Sequence, residues 1–234
     1  MQSTASFRGP APIVLAAAHI LVFLAGLIAA AALRHGAGFV NPFAPDEQVR
    51  IFFAQTPTAV RVSNLFLFGS GVPFGIFTVT IVCLLHFLGV RAAGASIALF
   101  GGLAASFSLF LSGITGWVLS VEGVTTSPEV VKAIYVVSFL CGGVFYAVGF
   151  GLLAAGVSVT CYFRRLLPNW LTAMGMILAI TGELSWFSLI AYPANFFIPI
   201  TRFLGFAWMI AIAVVLAKRS TLPRAAQAPD SPQI

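Results

Sequence analysis

Charge is what this chain has least of. Only 8% of its 234 residues are Asp, Glu, Lys or Arg, and just six of them are acidic. A soluble domain carries about 25% charged residues, so this chain cannot cover a water-facing surface. Histidine and cysteine are equally sparse, at three each. There is no HExxH motif, no pair of intramembrane aspartates, and no serine with a histidine and a glycine turn to activate it, so no catalytic motif is present. Cys83, Cys141 and Cys161 have neither metal-ligand nor redox spacing and read as small hydrophobes inside helices. No internal repeat is visible.

What fills the chain instead is apolar: 60% of residues are hydrophobic and the mean hydropathy is +1.04. Six stretches reach the ~20 helical residues that a bilayer core requires: Pro12–Leu33, Val60–Leu88, Ala95–Ser120, Val130–Tyr162, Trp170–Tyr192 and Ile198–Leu216. Short links join them, which predicts one all-α domain over residues 1–217, a bundle of six transmembrane helices. The first stretch exceeds the 7–15-residue core of a cleaved signal and reads as a retained anchor. Residues 218–234, rich in Pro, Ala, Ser and Gln, read as a disordered cytoplasmic tail.

An even number of crossings puts both ends on one side. Placing them inside leaves Arg8, Arg91, Arg164, Arg165, Lys218, Arg219 and Arg224 in the cytoplasm, against Arg34, Arg50, Arg61, Lys132 and Arg202 outside. Basic residues favour the inside, so the reading is N-in and C-in. The net charge of +6 then reflects orientation and lipid contact rather than nucleic acid.

Between the first two spans, Pro45-Asp46-Glu47 starts a helix, with acids at its positive end. Val49, Phe52 and Phe53 share one face, predicting a short helix in the outer interface, apolar face toward lipid; the alternative is a lid over the bundle. In the second span GSGVPFG places Gly71 and Pro73 near mid-membrane, ~20 Å from Val60 at 1.5 Å per residue. A helix kink there frees carbonyls that need protein, water or ligand partners. Gly101-Gly102, Gly113, Gly116, and Gly143, Ala147 and Gly151 at four-residue intervals mark close helix contacts.

Glu183 stands alone inside ILAITGELSWFSLIAY, and Arg202 in PITRFLGFAW is the one basic residue at a matching place on a neighbouring span. An intramembrane carboxylate costs roughly 2.5–3.5 kcal/mol on insertion scales, so a Glu183–Arg202 pair is expected. Thr181, Ser185 and Ser188 form a polar stripe beside it. Asn64, Ser112, Ser138, Tyr146, Trp117 and Trp186 add hydrogen-bonding and aromatic groups in the same outer half. Together they predict a polar, aromatic-lined pocket facing outward, with Glu183, Arg202, Trp186, Trp117, Asn64, Ser185 and Thr181 as its residues. His19 and His86 are the weaker alternative, a b-type haem held between the first two spans at an axial offset of ~5–7 Å. No other cofactor and no metal site is indicated.

The stretches RRLLPNWLTAMG, GELS and IPITRFLGFAWMIAIAVVLAKR, with the NPF-containing outer loop, resemble the bacterial membrane-protein family catalogued as domain of unknown function 4386. The resemblance implies a compact inner-membrane protein of about six or seven helices and no assigned activity. The functional expectation is binding of a small amphiphile or lipid, or of a partner membrane protein or second copy, in the outer cavity. A small or proton-coupled transporter and a haem-bearing electron carrier are the alternatives.

Overall fold

The computed structural model describes residues 7–34, 36 and 38–220. Among these residues eight α-helices follow one another: α1 Pro12–Leu33, α2 Asp46–Gln55, α3 Pro57–Phe87, α4 Ala93–Val118, α5 Pro128–Leu140, α6 Tyr146–Phe163, α7 Asn169–Leu184 and α8 Phe197–Ser220. Cys141–Phe145 is a π turn that joins α5 to α6. Short 3-10 turns at Ser185–Leu189 and Tyr192–Phe196 link α7 to α8. Six spans are thus long and apolar enough to cross a membrane, the α5–α6 unit running 36 residues. The protein is an all-α six-helix bundle.

Proline sets several helix starts, because its missing N–H costs nothing in a first turn. Pro12, Pro57 and Pro128 all sit there. Before Pro128, the Ser127 hydroxyl accepts from the Val130 N–H at 3.4 Å and caps α5.

Each span packs on the next, α1 on α3, then α4, α6, α7 and α8, and α8 returns to α1 to close a ring. Small residues let backbones meet. A Cβ on Gly182 would lie 2.6 Å from the Ala147 carbonyl and 2.7 Å from Gly151 Cα, so α6 and α7 touch backbone to backbone. The middle is filled by buried Phe74, Phe77, Tyr146, Phe150 and Trp208. Phe150 stands 6.0 Å from both Phe74 and Trp208, ring centre to ring centre. This aromatic layer divides the end of the bundle that carries α2 from the end that carries Pro12 and Ser220.

Three expectations meet the structure here. At GSGVPFG, α3 continues through Pro73. The carbonyls beside Gly71 and Pro73 find protein partners, His19 Nδ1 donating to Ser70 O at 2.9 Å and Ser106 Oγ to Gly71 O at 2.8 Å. Next, α2 does not turn its apolar face to lipid. Val49 and Phe53 are buried, and Phe53 stacks edge-on against Tyr135 of α5 at 4.9 Å. On its solvent side the Arg50 guanidinium bonds Glu47 and holds that carboxyl below its ordinary pKa. Finally, Lys218, Arg219 and Ser220 belong to the last turn of α8, while residues 221–234 and His35 lie outside the described residues.

Candidate functional site

At the α2 end the ring encloses a cavity of about 600 Å³. Its walls come from the upper halves of α1, α3, α4 and α8 and from the C-terminal half of α5 with the π turn, and its mouth from the segment Phe39–Phe43 with Tyr192. Along each helix the deepest lining residues are Phe23, Leu67, Gly143 and Arg202, so these form the floor.

The mouth segment owes its shape to Asn41-Pro42, a turn-forming pair. The Asn41 side-chain oxygen accepts from Phe43 N–H, and its amide donates to the Tyr192 hydroxyl, each at 2.9 Å. Phe43 packs edge-on against Tyr192 at 5.3 Å. From α5, the Tyr135 hydroxyl donates to Val40 O at 2.7 Å, and Lys132 bonds both Ala44 O and the Asp46 carboxylate. The segment is therefore tied to α5 on one side and to the Tyr192–Phe196 turn before α8 on the other.

The floor is built on the π turn. Arg202 of α8 donates through Nη2 to the carbonyl of Gly142. Its guanidinium carbon lies 4.5 Å from the Tyr146 ring centre and 5.0 Å from that of Phe23. Such aromatic faces supply ~2 kcal/mol or more when a cation is desolvated. A Cβ at position 142 would run into the Ser112 hydroxyl of α4, which would have to turn away from its bond to Ser138. Ser112 and Ser138 in turn exchange hydroxyl-to-carbonyl bonds of 2.8 and 2.9 Å, fixing α4 against α5 beside the turn.

Arg202 has five N–H donors, and among the described residues the Gly142 carbonyl is its one acceptor. Its Nε is fully covered and unpaired. The two ion pairs among the described residues are Glu47–Arg50 and Asp46–Lys132, both on the α2 side, so no carboxylate neutralises Arg202.

The expected Glu183–Arg202 pair does not form. Glu183 is exposed on the outer face of α7, together with Ile180, Trp186 and Phe187. Trp186 stacks on Phe187 at 4.7 Å, outside the bundle, and Trp117 is likewise turned outward. Thr181 and Ser185 do face inward, but into helix contacts: the Thr201 hydroxyl donates to that of Thr181 at 3.0 Å, and Ser185 donates to Gly182 O. Of the seven expected site residues, only Arg202 and Asn64 line the cavity.

His19 and His86 also stay apart. His19 is buried beside Phe74 and Phe206 at the level of Ser70. His86 is sixteen residues farther along α3, ~24 Å at 1.5 Å per residue. The two do not face a common centre.

Sequence reasoning passed over Tyr135, Phe39, Asn41, Gly142 and Tyr192. A usable signal was there for one wall: Tyr135, Ser138 and Gly142 recur at i, i+3 and i+7, one face of a helix. No protein-family model matches the chain, and neither a curated protein nor a solved structure matches it.

Proposed function

We propose that this is an integral membrane protein that holds an amphiphile with an anionic head in the cavity at the α2 end, the head paired with Arg202. The observation that carries the reading is a buried-side guanidinium without a carboxylate at the floor of a roomy, aromatic-walled chamber. An unpaired charge in an apolar surround costs several kcal/mol. An anion seated there recovers that cost through charge-assisted hydrogen bonds from the free donors. Phe23, Phe39, Phe43 and Phe139 line the space for the apolar part.

In this proposal the α2 end faces outward from a bacterial cytoplasmic membrane. The opposite end carries Arg8, Arg91, Arg164, Arg165, Lys218 and Arg219, the arrangement that basic residues favour on the cytoplasmic side. Membership in the resembled family belongs to the same proposal and supplies no ligand. A carrier would need the aromatic layer beneath Arg202 to part, and a haem would need His19 and His86 within reach of one iron. Neither requirement draws support from the packing, whereas the binding reading uses the chamber as it stands.

The test is native mass spectrometry and lipid extraction of purified wild type and Arg202→Gln, each offered palmitate or phosphatidylglycerol. Wild type should retain one of these acidic amphiphiles, and the variant should retain at least tenfold less while keeping its helical circular dichroism. Equal retention by both proteins, or none by wild type, refutes the reading.

A further inference from the structure

A second cavity of about 160 Å³ adjoins the first, and the two share Ala30, Phe39, Ser63, Asn64, Tyr135 and Ser138. The smaller one is lined by Arg34, which caps the end of α1. Arg34 is only 9% exposed. Its Nε donates to Ala30 O at 3.0 Å, and its guanidinium carbon lies 3.6 Å from the Phe39 ring centre. Its Nη1 is buried with no acceptor, and neither ion pair among the described residues includes it.

Arg34 therefore repeats the pattern of Arg202: one backbone carbonyl, an aromatic face, and a covered donor left over. The C-terminal end of α1 favours a positive charge there, yet it leaves the Nη1 hydrogens unsatisfied. An unmet buried donor costs about 1–3 kcal/mol, more when charged. The two guanidiniums border adjoining cavities, with Phe39 as common wall.

Resting on the reading above, we propose that the ligand is an elongated amphiphile with two separated anionic groups, one at Arg202 and one at Arg34. Two helices set the spacing. From Phe23, which faces Arg202, to Arg34 is eleven positions along α1, ~16 Å by helical rise. From Tyr135, which walls the smaller cavity, to Gly142, which binds Arg202, is seven positions, ~10 Å. A single carboxylate or phosphate cannot reach both sites, so a monoanion leaves one arginine unmet.

Binding is measured on purified wild type, Arg202→Gln, Arg34→Gln and Arg34→Lys with two pairs of probes. One pair is hexadecanedioate against hexadecanoate; the other is dodecane-1,12-diyl bisphosphate, with two phosphates, against dodecyl phosphate, with one. Wild type should bind the dianion of one pair about tenfold tighter than its monoanion, and the pair that responds identifies the head as carboxylate or phosphate. Arg34→Gln should abolish that preference without weakening the monoanion, Arg34→Lys should keep most of it, and Arg202→Gln should weaken both members. Wild type that binds monoanions without preferring either dianion overturns this inference alone, as does a preference that survives Arg34→Gln. Wild type that binds none of the four probes overturns the underlying reading as well.

Discussion

Two residues that the sequence couples are separated by helix geometry. Glu183 is two positions after Thr181 and two before Ser185, so at 100° per residue it points ~200° away from both. Since those two face inward, Glu183 is turned out. That much was legible from the spacing alone. Arg202 was legible as a buried-side cation, but its acceptor was not, because nothing in CGGVF announces that a carbonyl will face α8. Glu183→Leu should therefore raise the melting temperature of the purified protein or leave it unchanged, removing a cost of up to roughly 2.5–3.5 kcal/mol, with ligand retention as in wild type. A clear fall in melting temperature would reveal an internal partner for the carboxylate.

At the scale of elements, the spans were readable because length and hydropathy set them, and the first was placed to the residue. The π turn and the two 3-10 turns were not readable, since each depends on which side chains and carbonyls happen to meet across helices. The small-residue contacts lie between these cases: glycine spacing showed that helices approach, and only the packed ring shows which ones. Gly101 of α4 is an example. A Cβ there would lie 2.6 Å from Gly149 O and 2.7 Å from Leu153 N, both backbone atoms of the α6 region that cannot move aside alone. Gly101→Ala should destabilise the protein by about 1–3 kcal/mol, read as a lower melting temperature in detergent, whereas alanine at Gly69, whose nearest neighbour is a Val22 methyl at 3.8 Å, should be close to neutral.

For the whole molecule, connectivity fixes where chemistry can sit. Because the spans close into a ring in chain order, the α2 end collects the long α1–α2 link, the start of α5 and the α7–α8 turns, and the first and last of these roof the chamber. Among the described residues the other end has short turns only: Arg164 reaches Gly89 O at 3.5 Å across two of them. Orientation is open to a direct check in cells. In a background with Cys83, Cys141 and Cys161 replaced by alanine, a membrane-impermeant maleimide should label Glu122→Cys in intact spheroplasts and Arg164→Cys only after lysis. The reverse pattern would invert the topology and put the chamber on the cytoplasmic side.

The π turn has a bearing on how such a chamber can be lost. It is one residue wider than an α-helical turn, so it offsets the faces of α5 and α6 by ~100°. Remove a single glycine from Cys141–Phe145 and every named side chain survives in the gene, yet either Tyr135 and Ser138 or Tyr146 and Phe150 must swing off their present faces. The guanidinium would then be stranded without its seat. A frame-preserving deletion of one codon can thus disarm this protein while an inventory of its residues reports nothing missing.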